Sequence, residues 1–134
     1  MSGKAAPMAA ASDKRRLLVV EDEVLVRMII AEATRDAGYE VAEAESADAA
    51  LAYIASGRPV DLVFSDIGLP GSMNGVALAR TLAAEHPEIM VILTSGQAGA
   101  EALQAETPFI PKPYSIAEAL ILIAVTLAQK PTDG

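Results

Sequence analysis

Asp66 closes the apolar run Val60-Asp61-Leu62-Val63-Phe64-Ser65 and opens the loop Ile67-Gly68-Leu69-Pro70-Gly71. A second run, Leu17-Leu18-Val19-Val20, is followed by the acidic triplet Glu21-Asp22-Glu23, and a third, Pro108-Phe109-Ile110, leads to Lys112-Pro113. One aspartate at the end of a run is commonly a turn or helix-cap residue. Carboxylates after two runs and a lysine after a third point to a site at one edge of a sheet. Asp22 and Asp66, with Glu21 beside them, would crowd negative charge into one pocket, which is costly unless something neutralises it. A hard divalent cation does so, and carboxylates plus water suit Mg²⁺. Lys112 supplies a fixed positive charge opposite, and the hydroxyl of Thr94 can donate to a phosphoryl oxygen. An oxygen nucleophile, a metal, a cation and hydrogen-bond donors are the parts that phosphoryl transfer needs.

The elements that must position these residues follow from the pattern. Short apolar runs predict strands over residues 17–20, 39–42, 60–65, 89–94 and 107–110, and helical spacing predicts helices over 23–37, 47–55, 76–85 and 116–128. A further short helix falls near 99–104. Gly38, Gly57 and Pro87 stand where the first three helices should stop, and Ser46 and Asn74 where the second and third should be capped. Strands alternating with helices imply an α/β fold, a doubly wound parallel sheet covered on both faces. Its strands should then read as continuous apolar runs, as Leu62-Val63-Phe64 and Val91-Ile92-Leu93 do. Ligands of such sheets bind beyond the carboxyl ends of the strands, which places Glu21, Asp22, Asp66, Thr94 and Lys112 along one edge.

Composition narrows the function classes. A chain of 134 residues suits one domain, here 15–129, with 1–14 read as a flexible leader and 130–134 as a tail. There is no cysteine, so disulfides and thiolate metal sites are excluded, and the single histidine, His86, rules out a multi-histidine cluster. His86 is expected at a helix end, solvated and favoured by the helix dipole. A formal net charge of −8 argues against nucleic-acid and anionic-membrane partners, because Lys14-Arg15-Arg16 is the only basic cluster. No apolar stretch is long and charge-free enough to span a bilayer. A cytoplasmic location is the expectation.

The motifs Val19-Val20-Glu21-Asp22-Glu23, Asp66 with Leu69-Pro70-Gly71, Leu93-Thr94-Ser95-Gly96 and Lys112-Pro113-Tyr114 stand in order at these strand ends. In that combination the chain resembles a receiver domain of the two-component response regulators, of the single-domain, chemotaxis-receiver-like kind. The resemblance covers about residues 15–129. It implies a flavodoxin-like five-stranded sheet of order 2-1-3-4-5. It implies Asp66 as phosphoacceptor, taking a phosphoryl group from a phosphohistidine on a histidine kinase or histidine phosphotransfer protein. Asp22, Asp66 and the Gly68 main-chain carbonyl would ligate Mg²⁺, and Glu21 would act through water. Lys112 and Thr94 would bond the phosphoryl group, with backbone N–H groups of Ile67 and Ser95 completing the cradle. Lys112-Pro113 would be a cis peptide holding the lysine inward. Phe109 falls at the family's aromatic switch position, three residues before the lysine; the alternative is an ordinary edge-strand aromatic. Such a domain is not a turnover enzyme.

The chain departs from that pattern in places. Glu21 replaces the commoner aspartate, and the loop 69–75 is one residue longer than is usual in the family. The segment between Thr94 and Lys112 is short, so the fourth helix of the fold is expected to be stunted or absent. Gly68 and Gly96 leave the pocket mouth with little cover, which predicts an open acyl phosphate. In the first helix Val26, Ile29, Ile30, Ala33 and Ala37 form the expected core stripe, leaving Val24, Leu25 and Met28 outside it. In the last, Ile116, Ala119, Leu120, Ile123 and Leu127 form the stripe, leaving Ile121, Leu122 and Val125. These leftover residues are candidate interfaces, for the histidine-bearing partner on the first helix and for a homodimer or target protein on the last. Because only residues 130–134 follow the domain, output is expected through protein–protein contacts. Two other readings remain open. One is a receiver-like binding module that works without phosphate. The other is an Asp-nucleophile phosphatase of the haloacid dehalogenase type, which needs a second carboxylate where this chain has Gly68.

Overall fold

The computed structural model describes residues 14–96 and 107–129. Within them the apolar runs become five strands: β1 (Arg16–Val20), β2 (Glu40–Ala44), β3 (Leu62–Asp66), β4 (Met90–Ser95) and β5 (Phe109–Pro111). The helices between and after them are α1 (Val24–Asp36), α2 (Ala47–Ala55), α3 (Gly75–Glu85) and α4 (Ile116–Ala128). The strands form one sheet, all parallel, in the order β2-β1-β3-β4-β5, as the sequence implies. The expected leader, the tail and the short helix near 99–104 lie outside the described residues, apart from Lys14.

Side chains alternate across the strands and feed two cores. Leu17, Val19, Leu62, Phe64 and Ile92 face α1 and α4, where they meet Ile30, Ala119, Ile123 and Leu127. Leu18, Val20 and Val63 face α2 and α3, where they meet Ala47, Ala50, Ile54, Leu78 and Leu82. Central strands buried on both faces need no polar side, which is why their sequence shows unbroken apolar runs. Ser46 caps α2 by accepting from Ala49 N, and Asn74 caps α3 by accepting from Ala77 N, as expected. His86 is the C-cap of α3, half-buried, with Nδ1 3.6 Å from Glu88. No helix among the described residues is long and apolar enough to cross a membrane.

Several boundaries and faces differ from expectation. β2 begins after Tyr39 and extends to Ala44, because Arg16 pairs with Glu40 and Val20 with Ala44 along β1. β3 starts at Leu62, since Asp61 is held in the preceding turn: its N–H donates to Arg16 O at 2.8 Å, and its carboxylate accepts from Arg16 N at 2.8 Å. Ile29 and Ala37, expected in the core, are exposed; the buried residues of α1 are Ile30, Ala31 and Thr34. Thr34 occupies a core position because its hydroxyl donates to Ile30 O at 2.8 Å and so carries no unpaired polar atom inward. On α4 Thr126 is buried beside Ala119, Ile123 and Leu127, and Leu122, expected on the surface, is half-buried against the same core. In both helices a threonine belongs to the apolar stripe, and leaving it out rotates the inferred face.

Candidate functional site

The parallel register brings the chemistry-bearing residues to one edge. Asp66 is the last residue of β3 and sits opposite Thr94 of β4, while Val20, just before Glu21, sits opposite Ser65. The strand order reverses at β1, with β2 added on one side and β3 on the other, so the crevice beyond β1 and β3 is the topological switch point of the sheet. Lys112 follows β5, its N–H donating to Ser95 O at 2.9 Å, and the Lys112-Pro113 bond is cis.

Carboxylate oxygens of Glu21, Asp22 and Asp66 lie within 4.8 Å of one another. That donor set suits a hard divalent cation. Their settings differ: Glu21 is buried, Asp66 half-buried and Asp22 exposed. Lys112 Nζ is 3.4 Å from Glu21 Oε1 and 3.5 Å from Asp66 Oδ2, so one cation bridges two of the three acids. Burial pushes the Glu21 carboxyl above its usual range and the Asp66 charge pushes it further, against the Glu23 N–H and Lys112, which pull it down. Burial alone would lower the Lys112 pKa, but the charges of Asp66 and Glu21 together outweigh it and raise it. Tyr114 stands edge-on to Phe64, with ring centroids 5.9 Å apart. Burial and then the two carboxylates, Glu21 and Asp66, push its phenol up to about 12.

Thr94 is buried at the end of β4, and its Oγ1 is the one buried side-chain polar atom without a hydrogen-bond partner among the described residues. Buried polar atoms are nearly always paired, so this hydroxyl, on the ladder partner of Asp66, is an exception within the site. The backbone amides divide differently from expectation. Ile67 N–H is committed to the sheet, donating to Thr94 O at 2.9 Å, and the amide that reaches the Asp66 carboxylate is that of Gly68, at 3.4 Å from Oδ1. Phe109 is half-buried against Ile67, Val76, Ala79 and Leu93. Of the surface candidates, Val24, Leu25, Met28, Ile121 and Val125 are exposed as expected, and Ile29 joins them.

Two residues, Gly75 and Arg27, were given no role in the sequence reading, and Tyr114 entered it only as part of the Lys112-Pro113-Tyr114 motif. Gly75 opens α3 directly under the site: a Cβ there would run into the main-chain oxygen of Asp66 and lie 2.8 Å from Ile67 Cα, so only glycine allows the helix to start this close to β3. Its place after the Asn74 cap was the available signal. Tyr114, two residues after Lys112, contributes an apolar wall beside the acids. Arg27 donates to Glu21 O at 2.8 Å from within α1, and nothing in a one-dimensional pattern marks it as different from a solvated arginine.

A doubly wound sheet with an acidic pocket at its switch point and a lysine beside the terminal aspartate of β3 describes a response-regulator receiver. The family model for the response regulator receiver domain matches residues 17–124, and the chain belongs to that family, a component of two-component systems. Among its relatives, the nitrogen assimilation regulatory protein NtrX of Azorhizobium caulinodans is 38% identical over 113 residues, covering 80% of this chain and 24% of that protein. The transcriptional regulatory protein PdtaR of Mycobacterium tuberculosis is 32% identical over 132 residues, covering 90% of this chain and 60% of that one. The chain therefore spans a quarter to three-fifths of the length of these relatives. The crystal structure of the NtrX receiver domain from Brucella abortus superposes with a TM-score of 0.77 at 36% identity, covering 84% of this chain and 98% of that one.

Proposed function

We propose that Asp66 is the phosphoacceptor of this receiver. A carboxylate oxygen of Asp66 attacks the phosphorus of a phosphohistidine on a histidine kinase or histidine phosphotransfer protein. A phosphorus–oxygen bond forms, the phosphorus–nitrogen bond breaks, and the imidazole leaves with the electron pair. The observation that carries this reading is the unpartnered Thr94 hydroxyl, buried one ladder position across from Asp66. It is an orphan until a phosphoryl oxygen on Asp66 gives it an acceptor. Lys112, 3.5 Å from the same carboxylate, would pair with a second phosphoryl oxygen, and the Gly68 amide, 3.4 Å from Asp66 Oδ1, would serve another.

The carboxylates of Asp22 and Asp66 and the Gly68 carbonyl would hold Mg²⁺, with Glu21 acting through water; the oxygen donor set and spacing of the three acids fit a hard cation. When bound, Mg²⁺ neutralises charge on the transferring phosphoryl group. The chain's own residues orient the acceptor, supply the donors and keep the lysine in place. Signalling would run through protein–protein contacts in the cytoplasm, with the Thr94 hydroxyl, and Phe109 opposite the preceding Leu93 on the sheet, biasing two states of the output face.

Incubation with acetyl phosphate and Mg²⁺, followed by intact mass, tests the reading. The expected result is one phosphate adduct that needs Mg²⁺ and is absent from Asp66→Asn. Failure of the protein to bind beryllofluoride with Mg²⁺ would overturn phosphoryl acceptance and favour a phosphate-independent binding module. Turnover of a generic phosphate ester would favour a phosphatase.

A further inference from the structure

α1 inverts the usual order of an amphipathic helix. Val24, Leu25, Met28 and Ile29 are exposed, while Arg27 between them is half-buried, its side chain only 15% exposed. A surface helix normally turns its arginines out and its large apolar residues in. Arg27 is turned in because it has two fixed partners. Its Nη1 donates to the main-chain oxygen of Glu21 at 2.8 Å, and its Nε pairs with Glu43 Oε1 at 3.2 Å. Glu43, on β2, is itself held from a second side by Arg35, whose Nη2 lies 3.2 Å from Oε2 and also donates to Val41 O at 3.1 Å. The next residue of β2, Ala44, accepts from Glu21 N–H at 3.0 Å. The backbone of Glu21 is therefore fixed at both its N–H, directly by β2, and its carbonyl, through Arg27 of α1, which Glu43 of β2 holds in turn.

We propose that Arg27, clamped by Glu43, is a positioning residue that fixes the β1–α1 turn and so sets how tightly Glu21, Asp22 and Asp66 take a divalent cation. The inference rests on the acidic cluster being the cation site. A cation bound by carboxylates from two separate strands demands that their oxygens converge, and Glu21 and Asp22 sit on a turn that nothing else among the described hydrogen bonds ties at the Glu21 carbonyl. The bond from a guanidinium to that carbonyl is charge-assisted, stronger than a neutral one. The Arg27–Glu43 pair contributes little to stability as an isolated, partly exposed ion pair. Its effect is on geometry, as for the outer-shell partners that orient metal ligands elsewhere.

The test is a calorimetric Mg²⁺ titration of the whole chain in four forms: wild type, Arg27→Met, Arg27→Lys and Glu43→Gln. Thermal melts and backbone amide exchange across residues 21–26 are recorded on the same forms without metal. Arg27→Met keeps the stem and removes the donors; it should weaken Mg²⁺ binding by about tenfold, with faster exchange in the turn and a melt close to wild type. Arg27→Lys should recover part of the loss, and Glu43→Gln should fall between. Wild-type affinity and wild-type exchange in Arg27→Met would overturn the proposal. If the loss of affinity in Arg27→Met is accounted for by unfolding in the melt, Glu43→Gln, a change at a partly exposed position, decides: wild-type affinity and exchange in that folded variant overturn the proposal. If wild type itself takes no Mg²⁺, the cation-site reading fails and the proposal with it, whereas normal binding by every variant overturns the role of Arg27 alone.

Discussion

At the scale of single residues, the site is built from groups left in uncomfortable states. Thr94 keeps a buried hydroxyl without a partner. Leaving such a group unpaired costs about 1–3 kcal/mol, and replacing it with an apolar group of the same shape removes that penalty. Thr94→Val should therefore leave the unphosphorylated protein as stable as wild type or more stable by about 1 kcal/mol, read from chemical denaturation. The same variant should lose the difference in stability or partner binding that phosphorylation produces in wild type. A variant clearly less stable than wild type would mean that the hydroxyl is satisfied in the resting protein. The residues of this pocket were legible because their types are rare at strand ends: an acid, a threonine and a lysine each closing an apolar run. Arg27, Gly75 and Tyr114 were not, because an arginine in a helix, a glycine after a cap and an aromatic after a proline all have ordinary explanations. Only their contacts in three dimensions separate the functional case from the common one.

At the scale of elements, the number and type of strands and helices followed from periodicity, while the rotation of two helices did not. α1 and α4 each bury a threonine whose hydroxyl counts as polar in any apolar pattern. In the helix Thr34 returns its hydrogen bond to the preceding turn and packs its methyl inward. The apolar stripe on α1 thus runs through Ile30, Ala31 and Thr34, and Ile29 is released to the surface with Val24, Leu25 and Met28. The two neighbouring isoleucines should respond oppositely to substitution. Ile30→Ala should destabilise the fold by about 2–5 kcal/mol, the range for opening a cavity in a core. Ile29→Ser, at an exposed position, should stay within about 0.5 kcal/mol, while weakening capture of the phosphohistidine partner if this face docks it. Urea midpoints for the two variants make the comparison, and a large loss in Ile29→Ser would show that the stripe includes position 29 after all.

At the scale of the whole molecule, the acidic edge opposes the fold that carries it. Three carboxylates converge, and one lysine pairs with two of them, in a chain that already bears a net charge of −8. Burial first, and Asp66 second, raise the Glu21 carboxyl above its ordinary value of 4.5. A carboxyl whose folded pKa is raised binds its proton more tightly in the native state than in the unfolded one. Its contribution to stability is therefore full below pH 4.5 and is lost as pH rises through the elevated value. At neutral pH without metal the buried Glu21 charge is therefore a cost to the fold, set against the stability that the raised pKa of Lys112 contributes there, and a bound cation would offset that cost. Melts at a series of pH values in EDTA should show this contribution declining above pH 4.5. Mg²⁺ at about a hundred times its dissociation constant should restore about 2.7 kcal/mol. Asp66→Asn separates the two effects. It removes one of the converging charges while Lys112 keeps Glu21 at 3.4 Å, so it should melt higher than wild type in EDTA and gain less from Mg²⁺. An Asp66→Asn protein that melts lower than wild type in EDTA would mean that the 3.5 Å pair with Lys112 outweighs the repulsion. The cluster would then be a structural ion-pair network rather than a pocket held open for a cation and a phosphoryl group.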